Sequence, residues 1–511
     1  MAAIIIEKIA CKVMNYPLAI LLACTASCTQ HPAGKAPDTC DIIIDAGKVN
    51  FQMAGGIGAS WHAISEDSID ESPDYKWAIR IPNSRGSAWG GNPPVTDTAA
   101  WNQICRHASW LGLSFLRVEL SARMYHPERD RFDWDNEEMA ALYKILDWAE
   151  ASEADVFLQQ MWSNVRWNAY PGVQPLLSAP KSVEDFARGI AALLGHLTVT
   201  KKYTCIRWVC ITNEPPGGGW GSWWSTGETD APLTPALKAV REALDSRNIR
   251  VPISGPDWTD LPVFDPAKID FDPYIGAYDI HSYQGIDEQK QKIAEDWAMW
   301  ARKHGKPFFL SEIGDMRLGW GKSDPGPKSY AAALSNAESI LRGLAAGAGA
   351  FNRWSFTNRG DLDGQWQLIR TWDTDRKRYL DRVEIEPAAY YGYGILTRFC
   401  AKHSSVVMTE PIKNSEILSE TLISPTGMLT TYILNKSSKP QMVRINISGI
   451  KKKKLYLYMT TEQEVTKPDF RLEWVREMVV KEGKELILEL QGQSINTLTS
   501  YKSLPDDPAR K

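Results

Sequence analysis

Two carboxyl side chains close apolar, strand-like runs far apart in the chain. Ile206-Arg207-Trp208-Val209-Cys210-Ile211-Thr212 leads into Asn213-Glu214-Pro215, and Pro307-Phe308-Phe309-Leu310-Ser311 leads into Glu312-Ile313-Gly314. Two carboxyls brought to one cavity suit cleavage of a glycosidic bond. One, protonated, gives its proton to the leaving oxygen; the other, ~5–5.5 Å away, attacks the anomeric carbon and holds the sugar as an ester until water releases it. The acid keeps its proton near neutral pH only if burial and the second carboxylate raise its pKa to about 6–7.

The elements that must position this pair are legible from Gly55 onward, where short apolar runs alternate with longer helix-period segments, the pattern of βα units around a parallel sheet. The strand candidates are Gly55–Ser60, Ser114–Glu119, Asp155–Met161, Ile206–Asn213, Val251–Gly255, Ala277–His281, Pro307–Glu312 and Gly349–Trp354. Between them, Thr98–Leu111, Glu137–Ala151, Val183–Leu197, Thr234–Leu244, Gln289–Lys303 and Tyr330–Ala345 have apolar residues at helix spacing. Asn136 and Ser182 stand as N-caps, and Pro235 suits a first helical turn. Eight such units predict an α/β fold, a (β/α)8 TIM barrel over residues 55–398, whose site forms at the C-terminal ends of the strands, where both glutamates fall.

Past Tyr390-Tyr391-Gly392-Tyr393 the texture changes to short strands without helices: Glu416–Ile423, Met428–Leu434, Gln441–Ile447, Leu455–Thr460, Met478–Val480 and Glu485–Leu490. They predict an appended antiparallel β-sandwich over 399–511, with Val443, Ile445 and Ile447 on its inner face. Residues 29–54 read as a linker and a strand, Ile42–Phe51, that joins this sandwich.

Composition narrows the partners. A formal net charge of −4 over 511 residues gives no electrostatic reason for nucleic-acid binding. Tryptophan, at 21, outnumbers tyrosine at 18 and phenylalanine at 13, and flat indole faces stack on sugar rings, which points to a carbohydrate partner. With 8 histidines, no His-x-His and no Cys-x-x-Cys, neither a metal nor another cofactor is expected. Residues 1–28 read as an export signal, Lys8 and Lys12 preceding the apolar Tyr16–Ala23 stretch. Leu21-Leu22-Ala23-Cys24 and Thr25-Ala26-Ser27-Cys28 look like bacterial lipoprotein cleavage boxes, which implies a lipid anchor on Cys24 or Cys28 and a cell-envelope location, either on the outer membrane or in the periplasm. The oligomeric state stays open.

The two motifs resemble clan A glycoside hydrolases, whose strand 4 ends in Asn-Glu-Pro and whose strand 7 ends in glutamate. That resemblance makes Glu214 the general acid/base and Glu312 the nucleophile of a retaining O-glycosyl hydrolase acting on an oligo- or polysaccharide. Within the clan the chain looks most like family 30, through Gly56–Ser60, the tryptophan-rich Met161–Trp167 and the sandwich joined to both barrel ends. Families 39 and 5 are rivals; Ser311-Glu312-Ile313-Gly314 is closer to family 39. Arg117 resembles the clan arginine that donates to the nucleophile, and His281-Ser282-Tyr283 is similar to the clan His-x-Tyr, with Tyr283 orienting the nucleophile and His281 meeting substrate. Asn213 is placed to bond the sugar 2-hydroxyl, and Trp354 looks like the stacking platform below it. His62, Trp162, Trp167, Trp220, Trp223, Trp224 and Trp258 are further candidates to line the cleft, and Asp257, Asp315, Asp361 and Asp363 to bond sugar hydroxyls. The competing readings are a non-catalytic carbohydrate-binding lipoprotein on the same barrel and a transglycosylase.

Overall fold

A computed structural model describes residues 39–63, 91–162, 165–173, 175, 177–215, 223–319, 325–358, 365–373, 376, 378–410, 412–502 and 507–508. Residues 1–28, which the sequence suggests as an export signal, with Cys24 and Cys28, and Trp220, Asp361, Asp363 and the side chain of Trp162 lie outside the described residues. Thr39–Lys511 form one compact unit.

After β1 (Cys40–Gln52) come eight parallel strands: β2 (Ile57–His62), β3 (Phe115–Ser121), β4 (Asp155–Trp162), β5 (Ile206–Cys210), β6 (Ile253–Trp258), β7 (Ala277–Ser282), β8 (Phe308–Ile313) and β9 (Phe351–Asn358). Each pairs with the next, and β9 pairs back onto β2, so the sheet closes into a TIM barrel. Asn136 and Ser182 cap their helices by accepting the backbone N–H groups of Met139 and Asp185, and Pro235 lies in the first turn of Thr234–Ser246. The helix expected over Val183–Leu197 is α-helical to Leu194 and continues as a π-helix over Gly195–Thr200. Gly195 holds the helix weakly, and the Thr198 hydroxyl donates to the Leu194 carbonyl at 2.6 Å, which opens the regular ladder.

Phe115, Phe157, Cys210, Ala277, Phe309 and Ala350 fill one end of the barrel as a buried cluster. Gly58 lies against it: a Cβ there would stand 1.5 Å from the Phe115 carbonyl oxygen, so a side chain has no room. Strand side chains alternate, so beyond this floor β3 turns Arg117 and Glu119 inward and β7 turns Asp279 and His281 inward. The apolar plug gives way to a charged upper layer.

A hairpin not anticipated from the sequence, β10 (Ile369–Asp373) and β11 (Arg378–Ile385), hangs from β9. The aromatic run falls in the helix Pro387–Thr397, where Tyr390, Tyr391 and Tyr393 are fully buried. The second sheet comprises β12 (Ser405–Thr409), β13 (Ile417–Ile423), β14 (Leu429–Asn435), β15 (Gln441–Ser448), β16 (Lys453–Thr460), β17 (Trp474–Val480), β18 (Leu486–Leu490) and β19 (Ser494–Thr499) together with β1. Its order is β17-β16-β19-β14-β13-β12-β1-β15-β18. The pairing is antiparallel except for β1 against β15, which run parallel because β1 arrives from before the barrel.

Along β14, Tyr432 and Leu434 join the core shared with the barrel, whereas Leu429 and Ile433 join a second core built from the sheet itself. That second core draws fully buried side chains from near both ends of the strand order, Ile445 and Leu490 on one side and Leu455 on the other. Such burial requires the sheet to fold over on itself as a sandwich. Polar bonds stitch it to the barrel, among them Tyr330 to the Thr460 carbonyl at 2.6 Å, Tyr432 to the Leu396 carbonyl at 2.7 Å, Thr497 to the Ile395 carbonyl at 3.0 Å and Lys436 to Glu338 at 2.9 Å.

Candidate active site

Glu312 owes its direction to a bulge. Phe309 points into the barrel, and simple alternation would turn Ser311 inward and Glu312 out. Instead Ile280 of β7 faces Leu310 while the next residue, His281, faces Glu312, so Ser311 is an extra residue that turns the glutamate inward. The same device acts on β6, where Pro256 faces Asp279 and Trp258 faces Ile280, leaving Asp257 unpaired with φ +60°. Glu214 follows β5 with φ +44°, a left-handed conformation that costs a side chain free energy and is concentrated at functional positions.

The carboxyl oxygens of Glu214 and Glu312 and a ring nitrogen of His281 lie within 4.8 Å of one another. Arg117 Nη1 and the Tyr283 hydroxyl both donate to Glu312, one to each oxygen. Arg117 also donates to Glu119 and, through Nη2, to Asn213 Oδ1 at 2.9 Å. His281 Nδ1 bonds Glu214 Oε1 at 2.8 Å and stands 3.7 Å from Glu312 Oε2, while its Nε2 bonds Asp257 Oδ1 at 2.9 Å. Trp354, nearly buried, meets the His62 ring edge-on at 4.8 Å and has the Arg117 guanidinium over it at 5.9 Å.

Glu312 is pushed up to about 7 by burial, with Glu214 and Glu119 adding to the rise and Arg117 and His281 opposing it. Burial also works against charge on Arg117, but Glu312 and Glu119 beside it hold it more firmly protonated than usual. A proton is therefore retained near neutral pH where two carboxyls meet out of water.

The structure gathers Arg117, Asn213, Glu214, His281, Tyr283, Glu312 and Trp354 into one buried cluster at the strand ends. It places other candidates elsewhere. His62 is fully buried, its Nδ1 paired with Glu119 and its ring edge-on to Trp354. His281 is buried as well, wedged between carboxylates. Trp224 is 1% exposed against Phe186, and Trp258 packs edge-on to Trp297 at 6.0 Å, so both belong to the helix layer; the β6 bulge sends Trp258 outward as it brings Asp257 in. Trp167 is half-buried and donates to the His126 carbonyl at 3.3 Å. Trp223 is half-buried and packs against the barrel core. Asp315 is tied to Arg317 and Ser335. Glu119 and Gln159 were not singled out from sequence; their signal is strand alternation, which turns Glu119 inward after Arg117 and Gln159 inward after Phe157.

A closed parallel barrel with an attached β-rich domain is the fold of a clan A glycoside hydrolase. Residues 76–340 match the family model described as cellulase (glycosyl hydrolase family 5). The chain belongs to that family, one of the two rivals to family 30 in the sequence reading. No curated protein matches it.

Among the solved structures whose fold it shares are family 30 enzymes. A glycoside hydrolase family 30 subfamily 8 xylanase from Clostridium acetobutylicum superposes with TM-score 0.59 at 13% identity, over 90% of this chain and 99% of that one. A conserved exported protein from Bacteroides fragilis gives TM-score 0.62 at 14% identity, over 90% and 99%. An α-L-arabinofuranosidase from Thermotoga maritima gives TM-score 0.54 at 13% identity, again over 90% and 99%. The architecture common to these, barrel and β-domain together, is thus shared by proteins of different named activities. Among the described residues no helix is long and apolar enough to cross a membrane.

Proposed function

We propose that the protein is a retaining glycoside hydrolase working by double displacement, with Glu312 as nucleophile and Glu214 as acid/base. The observation that carries this is the approach of the two carboxyls to within 4.8 Å, close to the separation of retaining rather than inverting enzymes. Their surroundings divide the roles. Glu312 has a donor on each oxygen, Arg117 and Tyr283, which orient it and favour its anion for attack. In the first step the Glu214 acid gives its proton to the leaving oxygen as a Glu312 oxygen bonds the anomeric carbon and the glycosidic C–O bond breaks. In the second, the Glu214 carboxylate takes a proton from water, the water oxygen bonds the anomeric carbon, and Glu312 departs.

Trp354 is the sugar platform in this reading, and Asn213 bonds the 2-hydroxyl. The cationic side chains at the cavity among the described residues, Arg117 and His281, are spent on carboxylates, which favours a neutral glycan. The family description and the xylanase likeness make β-linked glucan and xylan the first substrates to assay, with an α-L-arabinofuranoside beside them. Lys8, Lys12 and the Cys24 and Cys28 boxes support export with a lipid anchor, which labelling with a lipid analogue would test.

The test of mechanism is a panel of aryl glycosides followed by mass analysis of protein treated with the matching 2-fluoro glycoside. A fluorosugar on Glu312, and turnover lost by orders of magnitude in Glu214→Gln with sugar binding kept, are expected. Label on another residue, or sugar binding without turnover by the wild type, overturns the reading; the second outcome describes a binding protein. Products formed only when a sugar acceptor is added would mark a transglycosylase.

A further inference from the structure

Beneath the two glutamates the polar layer continues through His281 to a pair of carboxyls that double displacement does not use. Asp257 and Asp279 are fully buried, and one ligand atom of each and of Cys210 lie within 4.8 Å of one another. Asp257 is rich in donors: His281 Nε2 at 2.9 Å, Gln159 Nε2 at 3.1 Å and the Glu214 backbone N–H at 3.3 Å. Asp279 is not. Among the described residues it enters no ion pair and accepts from no N–H group, and its polar neighbours include Asp257, the Ser254 hydroxyl and the Cys210 thiol.

Two carboxyls in contact and out of water cannot both be ionised, so one proton is shared. The donors around Asp257 favour its anion, which leaves the proton on Asp279. Burial, and then Asp257, hold Asp279 far above the usual carboxyl range, whereas Asp257 stays below that range despite burial because His281 faces it. Burial opposes charge on His281, but Glu312 and Asp257 outweigh it. The groups that act on His281 are Glu214 from the end of β5, Asp257 from β6, Asp279 on its own strand β7 and Glu312 from β8, with Arg117, Glu119 and Tyr283 gathered around Glu312.

We propose that Asp257, seated by a protonated Asp279, is a positioning residue that keeps His281 charged and aimed between Glu214 and Glu312, so that the two glutamates share one proton instead of holding two. The proposal rests on the double-displacement reading. With a neutral imidazole in place of the cation, the pair would keep its second proton to higher pH and Glu312 would be available for attack only above it.

The experiment follows the His281 ring nitrogens by NMR in the full chain labelled with 15N-histidine, assigned by the signal missing from His281→Asn. It is paired with the pH profile of kcat/KM on an aryl glycoside. In the wild type His281 is expected to stay an imidazolium through pH 8. Asp279→Asn, whose amide mimics a neutral acid, should leave both readouts unchanged. Asp257→Asn should give a neutral ring at pH 8 and move the acidic limb up by about one pH unit. A neutral His281 in the wild type at pH 7, or an Asp279→Asn variant whose ring is neutral at pH 8, overturns the proposal, and neither result requires Asp257→Asn to fold. The expected nitrogen shifts in a protein without turnover would uphold this charge arrangement and reject the glycosidase reading instead.

Discussion

Alanine at Gly314 tests whether Tyr283 holds the nucleophile. An added Cβ would sit 2.8 Å from Trp366 Cζ3 and 2.9 and 3.0 Å from Tyr283 Cε1 and Cδ1, closer than side chains ordinarily pack. Trp366 is fully buried and meets the Tyr283 ring edge-on with centroids 5.6 Å apart, so the tyrosine yields and its hydroxyl leaves Glu312. A hydrogen bond to a charged group contributes about 1.5–3 kcal/mol, which corresponds to a loss of roughly 10- to 150-fold in kcat/KM. Crowding the core costs about 1–3 kcal/mol of stability besides. The assay is a double-mutant cycle of wild type, Gly314→Ala, Tyr283→Phe and the double variant on one aryl glycoside, with urea unfolding of each. If Gly314→Ala acts by dislodging the hydroxyl, the double variant is no slower than Tyr283→Phe beyond about twofold, because the bond can be lost only once. Full kcat/KM in Gly314→Ala, or two losses that multiply, would refute the reasoning.

Two further outcomes follow from the same geometry. Burial lets the Glu214 and Glu312 pair keep one proton up to about 7, above the ordinary glutamate value of 4.5, so the native state holds it between those limits and stability falls as pH rises through them. Glu312→Gln leaves a single carboxyl and removes that loss, and its melting temperature relative to wild type should rise more at pH 8 than at pH 4; an equal change at both would show that the pair keeps no proton above the ordinary range. Tyr330→Phe strands the buried Thr460 carbonyl at the junction of barrel and sandwich, which should cost about 1–3 kcal/mol in urea unfolding with kcat unchanged.

The misses in the sequence reading share a cause. β19, Ser494–Thr499, lies within the second sheet with both faces buried, yet Asn496 stands on one face and Thr497 and Thr499 on the other, so no apolar alternation announces it. The Asn496 amide donates to Ser494 Oγ at 2.8 Å, and Thr497 and Thr499 donate to the Ile395 and Leu429 carbonyls at 3.0 and 3.1 Å. Asp257 was a candidate for sugar contact because it ends a strand, and the tryptophans were candidates because indoles stack on sugars; neither argument sees which way a side chain points.

Local patterning determined the barrel. Strand alternation, helix period, caps at Asn136 and Ser182, and glutamates at strand ends are properties of neighbouring residues, and they survive in any correct reading of the chain. The tertiary structure alone decided the site's inward direction. A single extra residue on β8 and another on β6 turned Glu312 and Asp257 into the cavity and Trp258 out of it, and such bulges exist only when two strands are paired, so no single segment encodes them. Burial of His62 and His281 is likewise decided by what surrounds them, and with it whether each meets sugar or holds a carboxylate in place.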